Sequence, residues 1–217
     1  MSNLDGAVVL VVGATGGLGS RIATQLESLG ASVVRVARTE SDLQDVGGPA
    51  AAVAAAIASH GRLDGVVIAA GVVAFGPIES VSDAAITELF ETNTLGPIRL
   101  IREATPHLAA SATAGRDPFI VTLSGIVADA PTAGLASYSA AKAGLSAFTK
   151  AATRELRKSG IRILDARPGH TETELSRHPI EGSAPPFPAG LDPDAVAARI
   201  VRAIVDDEKD LPSTEFS

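Results

Sequence analysis

Ala7-Val8-Val9-Leu10-Val11-Val12 runs directly into Gly13-Ala14-Thr15-Gly16-Gly17-Leu18-Gly19, and the helical pattern that follows carries Ile22, Ala23, Leu26 and Leu29 on one face. An unbroken apolar run of this length suits a strand buried on both faces of a parallel sheet. A glycine turn between such a strand and a helix lets backbone N–H groups approach a pyrophosphate closely, and the helix N-terminus adds partial positive charge. A glycine cluster alone would signal only a tight turn. Its place between a first strand and a helix marks a dinucleotide site.

Outward from this stretch, apolar runs recur at Ser32–Val36, Gly65–Ala70, Phe119–Leu123 and Ile161–Ala166. They alternate with helical patterns at Gly17–Leu29, Pro49–His60, Asp83–Ala110, Tyr138–Ser159 and Asp194–Asp206. The alternation predicts an α/β chain, residues 1–217 forming a single-domain doubly wound Rossmann fold, with a mostly parallel sheet of about seven strands and helices on both faces. A short strand is read at Leu43–Val46, which leaves the crossover helix in residues 37–48 short or missing. Residues 170–193, rich in Pro, Ser and Gly, read as an irregular loop, either a mobile cover over a substrate site or a plain connection.

Composition narrows the function classes. A formal charge of −7 and a pI near 5.1 would repel a phosphate backbone, so nucleic acid is not expected as a partner. The chain has no cysteine, and its four histidines, His60, His107, His170 and His178, lack ligand spacing, so no metal is expected. No apolar run reaches membrane-spanning length, and the first is too short for a signal segment; the expectation is a cytoplasmic protein without a membrane partner.

Two local patterns carry chemistry. At the end of the second strand, where a dinucleotide fold meets the adenosine ribose, stand Ala37 and Arg38. An acidic residue there would bind a free 2′-hydroxyl, whereas an arginine pairs with a 2′-phosphate, so Arg38 favours NADP(H) over NAD(H); the alternative is a solvated loop arginine. Further on, Tyr138 and Lys142 stand one helical turn apart on one face. A phenol beside an ammonium is expected to ionise more readily and so to exchange a proton with a carbonyl or alcohol oxygen. The plain alternative is a packed ring with a solvated amine. Tyr138 is the only tyrosine and follows a loop at the carboxyl end of a strand, where open α/β sheets bind ligands.

The glycine spacing, Asn93, the segment Tyr138-Ser139-Ala140-Ala141-Lys142, and Pro168-Gly169 with Thr173 beyond occur in the order found in the short-chain dehydrogenase/reductase family, which the chain resembles over nearly its full length. The resemblance implies an oxidoreductase that passes hydride between a nicotinamide and a small carbonyl or alcohol substrate. It implies Tyr138 as acid/base, Lys142 on the nicotinamide ribose, and cofactor contacts at Gly13, Thr15, Gly16, Gly17, Leu18 and Gly19. Contacts are also implied at Asp45 and Val46 beside the adenine, at Ala70 and Gly71, and at Pro168, Gly169, Thr171 and Thr173. Pro97 would free the backbone carbonyl of Asn93, which relatives use to hold a relay water. His170 is either a substrate contact or an exposed loop residue. Leu175, Ile180 and Phe187 are expected in the substrate wall, and a homodimer or homotetramer is expected.

Three positions depart from the family pattern. Ile68-Ala69-Ala70-Gly71 stands where relatives carry paired asparagines, and the glycine turn lacks the basic residue that often assists NADP binding. Gly125 occupies the place of the serine that steadies the substrate oxygen. Ser124 is the candidate replacement, needing a bulge or turn to face inward, with Thr122 behind it. These departures keep a second reading open, a cofactor-binding sensor or scaffold with weak or no catalysis.

Overall fold

The computed structural model describes residues 3–216. Its strands are β1 (Val8–Val12), β2 (Ser32–Val36), β3 (Gly65–Ile68), β4 (Phe119–Leu123), β5 (Arg162–Ala166) and β6 (Asp210–Leu211). They form one parallel sheet of order β2-β1-β3-β4-β5-β6. The helices are α1 (Gly17–Ser28), α2 (Gly48–His60), α3 (Asp83–Phe90), α4 (Gly96–Thr113), α5 (Ala136–Leu156) and α6 (Pro193–Val205).

Side chains alternate across the sheet. Val9, Val11, Val67, Val121, Leu164 and Ala166 face α1 and α6, meeting Ile22, Leu26, Ile200 and Ile204. Leu10, Val12, Val66, Ile68, Ile120 and Ile163 face the opposite layer, meeting Ala56 of α2, Leu100 and Leu108 of α4, and Ala152 of α5. Both faces are covered, which is why the strands read as continuous apolar runs rather than alternating ones. Among the described residues, no helix is long and apolar enough to cross a membrane.

Among the described residues the sheet has six strands rather than about seven. Leu43–Val46 forms turns instead of a strand, because nearby groups satisfy its backbone: the Asp42 carboxylate accepts from the Gln44 N–H, the Asp42 carbonyl from the Asp45 N–H, and the Asp45 carbonyl from the Gly48 N–H. β6 was not legible as an apolar run; it is two residues long, and only Leu211 enters the core. The region read as one interrupted helix, 83–110, is α3, a π-helical turn at Glu91–Leu95, and α4. The wide turn lets the Gly96 N–H reach the Glu91 carbonyl just before Pro97, which has no N–H to give.

From β1 the chain turns to β2 on one side and then crosses to β3 on the other. The loops after β1 and β3 therefore diverge at the carboxyl edge and open a crevice there.

Candidate active site

The glycine turn is shaped by steric need. Gly13 has φ of +80°, and a Cβ there would lie 2.5 Å from the Ala70 nitrogen. A Cβ on Gly19 would lie 2.2 Å from the Gly13 carbonyl oxygen, so the helix could not pack so close to the turn. Gly16 caps α1 in an extended conformation with no side-chain cap bond and no acidic residue in the first turn, leaving the N-terminal N–H groups for an anion. Gly17 lies against Thr173, where an added Cβ would meet the threonine Cβ at 2.7 Å. The late loop thus closes onto the glycine turn.

Between these parts lies a cleft of about 510 Å³, bounded by Gly16, Gly17, Leu18, Ala70 and Gly71 on one side and by Tyr138, Lys142, Pro168, Gly169, Thr171 and Thr173 on the other. This cradle fits a nicotinamide dinucleotide: glycines keep one wall at backbone level, and a phenol and an amine enter from the other. Gly13 and Gly19 shape the turn from behind, while Thr15 is exposed beside it. Arg38, Asp45 and Val46 lie outside the cleft lining. Asp45 is exposed, and Val46 is 73% exposed. Arg38 pairs with Asp42 at 2.9 Å and with Glu88 at 3.3 Å.

Lys142 is buried and donates from Nζ to the Leu123 carbonyl at 2.7 Å. Burial pushes its ammonium down to about 8, and the charge of Asp165 works against that shift. Its Nζ lies 5.8 Å from the centre of the Tyr138 ring. Desolvation pushes the Tyr138 phenol up to about 12. The direction is opposite to the lowering expected from Lys142, because burial disfavours the phenolate. A Cβ on Gly71 would lie 3.0 Å from Asn93 Oδ1 and 3.5 Å from Lys142 Nζ, so the loop after β3, the π-helical turn and α5 converge at one point.

Asn93 does more here than its backbone suggested. Its wholly buried side chain accepts from the Val72 N–H at 3.1 Å and donates to the Val72 carbonyl at 2.9 Å. That two-way bond braces the loop after β3, where the paired asparagines are missing. The polar residue beside a broken helix was the available signal.

Ser124 borders the cleft, but its hydroxyl is already engaged. It is wholly buried, and its hydroxyl donates to Asp165 Oδ2 at 2.8 Å, while Thr122 donates to Oδ1 at 2.9 Å. The two hydroxyls share one face because they are two residues apart on extended chain, and Asp165 lies opposite Thr122 in the neighbouring strand. Gly125, also at the cleft, has φ of +75°. Sequence reasoning overlooked Asp165 and Arg167, although charged residues beside an apolar strand call for partners once buried.

In the late loop, Leu175 and Phe187 line the cleft, and Phe187 stacks on His170 with ring centres 4.6 Å apart. Ile180 does not; it packs with the α3 and α5 side chains instead. The loop is tied down at Glu181, which accepts from the Ser82 N–H at 2.9 Å, and at Glu172, which accepts from the Gly190 N–H at 2.8 Å.

The family model for short chain dehydrogenase matches residues 40–182, more than half of the chain. The 3-oxoacyl-[acyl-carrier-protein] reductase FabG of Escherichia coli K12 is 31% identical over 193 residues, covering 81% of this chain and 78% of that protein. A 3-ketoacyl-(acyl-carrier-protein) reductase structure from Brucella melitensis, complexed with NADH, superposes with a TM-score of 0.86 at 23% identity, covering 96% of each chain. A short chain dehydrogenase structure from Burkholderia cenocepacia, in complex with NADP, gives 0.82 at 23% identity, covering 98% of this chain and 90% of that one. The chain belongs to the short-chain dehydrogenase/reductase family and is an NAD(P)-dependent oxidoreductase with the family's Rossmann-type fold.

Proposed function

We propose that this enzyme is an NADP(H)-preferring reductase of small, uncharged, largely apolar carbonyl compounds, with the corresponding alcohols as substrates in reverse. The observation that carries this reading is the convergence of Tyr138, Lys142, Gly71 and the α1 N-terminus on one cleft. When bound, the nicotinamide supplies or accepts the hydride at the substrate carbon. Tyr138 supplies the matching proton to the carbonyl oxygen, or removes it from the alcohol. The phenol, pushed up to about 12, is protonated at neutral pH, the form from which reduction starts. Lys142, anchored on Leu123, is set where its charge stabilises the phenolate left behind.

The walls beyond Tyr138 support the substrate class. Val73, Phe75, Val127, Leu135 and Phe187 are apolar, and Glu174 is the acidic group at this cleft. A substrate carboxylate would lose hydration against those walls, and Glu174 is already paired with Arg177 at 3.0 Å. Arg38 supports the cofactor preference, although Asp42 and Glu88 share its charge.

Absorbance assays with paired substrates test the proposal. A 2-oxo ester should be reduced with NADPH at a kcat/KM at least tenfold above that of its free acid, and Tyr138→Phe should keep NADPH binding while abolishing turnover. Unimpaired turnover by that variant would refute the proton-transfer role. Equal affinity for NADH and NADPH, measured by fluorescence titration, would refute the role of Arg38.

A further inference from the structure

We propose that Asp165 is the buried counter-ion of Lys142, a positioning residue that maintains the positive charge beside the reacting phenol. The inference rests on the reading of Tyr138 and Lys142 given above.

Asp165 and the inner face of α5 enclose the same layer. Thr149 of α5 lies 3.3 Å from Thr122, the hydroxyl bonded to Asp165. Lys142 precedes Thr149 by seven residues, about two helical turns, and therefore points to the same side. It reaches the backbone of Leu123, between Thr122 and Ser124, which both donate to the Asp165 carboxylate. Asp165 is 3% exposed and Lys142 6%, so solvent screens their interaction poorly.

The surrounding charges leave this carboxylate only partly neutralised. Arg167 donates to Asp165 at 3.2 Å, but the same guanidinium lies 2.5 Å from Asp129 and 2.7 Å from Asp210. One buried arginine thus faces three carboxylates, of which Asp129 also meets the exposed Lys150 at 3.8 Å, and Lys142 is the next buried cation among the described residues. Tyr138 on its own helix, Arg167 beyond β5, and His170, His178 and Glu174 across the cleft are the other titratable or charged groups around Lys142. Asp165 is the one whose charge opposes the desolvation of the ammonium. Asp129 follows the turn carrying Ile126 and Val127, both at the cleft, so the same arginine also ties that loop to the sheet.

The alternative is an ion pair that only holds β5 in place, and a pH profile separates the two. Loss of the negative charge favours neutral Lys142, so activity that requires the ammonium should fall at lower pH. In Asp165→Asn, the alkaline limb of kcat/KM for ketone reduction should move at least one pH unit toward acid, with activity largely recovered near pH 6. Thr122→Val removes one hydrogen bond but keeps the charge, and its limb should coincide with that of the parent. An unmoved limb in Asp165→Asn, or an equal shift in Thr122→Val, would overturn the counter-ion role. If Asp165→Asn does not fold, Arg167→Met leaves the Asp165 charge in place with one competing cation fewer, and its alkaline limb should move toward higher pH; a limb unmoved or moved toward acid there would equally overturn it. Tyr138→Phe run alongside separates the two levels. Full turnover in that variant defeats the reading of the catalytic pair and this inference with it, whereas an inactive Tyr138→Phe with an unmoved Asp165→Asn profile defeats the counter-ion role alone.

Discussion

Lys142 is buried at a cost to stability. Its ammonium loses its proton near pH 8 in the folded chain and near 10.5 in the unfolded one. Below pH 8 the full penalty applies, about 3 kcal/mol at the usual conversion; it fades as pH rises toward 10.5. Measured against the parent, Lys142→Met should therefore be better off at pH 7 than above about pH 10.5 by several degrees in Tm, on top of a constant loss from the unpaired Leu123 carbonyl and Asp165 carboxylate. Calorimetry at both pH values checks the sign, and a Tm difference that does not change with pH would contradict it. At the adenine end, Arg38 is 59% exposed on its side chain, so each of its ion pairs contributes about 0–1 kcal/mol. Glu88→Gln should free the guanidinium for a 2′-phosphate and tighten NADPH binding about two- to fivefold. NADH binding should be unchanged; an equal gain for both cofactors would show that Arg38 does not read the phosphate.

At the scale of elements, the glycines before α1 differ in what they do. Gly16 has ordinary dihedrals, and a Cβ there would come no closer than 3.3 Å to the Gly13 carbonyl oxygen. Gly16→Ala should fold with Tm within a few degrees of the parent while weakening NADPH binding at least tenfold, because the methyl enters the space left for the pyrophosphate. Gly19→Ala would force the helix off the turn and should lower stability by about 1–3 kcal/mol. Thermal melts with cofactor titration distinguish the two, and tight NADPH binding by Gly16→Ala would remove that residue from the binding surface. The order of strand, turn and helix was legible because both sides of the sheet are covered. Leu43–Val46 was misread because an apolar pair looks the same in a turn as in a strand, and Asp42 decides between them through bonds that only a folded backbone displays. Pro97 announced a break, but not the π-helical turn that aims the Asn93 side chain at Val72.

For the whole molecule, the outward side of α5 presents Ala140, Ala147 and Ala151 to solvent. Small residues allow close approach of a second helix, and we expect a homodimer or homotetramer formed through α4 and α5. Light scattering after gel filtration should give a multiple of 21.9 kDa, and Ala147→Glu should shift it toward the monomer. A monomer at micromolar concentration would end that expectation.

The amino-acid sequence by itself determined the alternation of buried strands and amphipathic helices, the glycine turn, and the Tyr138 and Lys142 pair. These depend on local periodicity, on backbone freedom and on spacing along one helix. Only the tertiary structure decided that the Ser124 hydroxyl binds Asp165, that Asn93 braces Val72, and that Arg38 is shared with Asp42 and Glu88. Ser124 with Asp165, Asn93 with Val72 and Arg38 with Glu88 each join segments distant in the chain. Burial settles which partner a polar group takes, because an unpaired group inside the fold costs more than the hydrogen bond it gives up elsewhere.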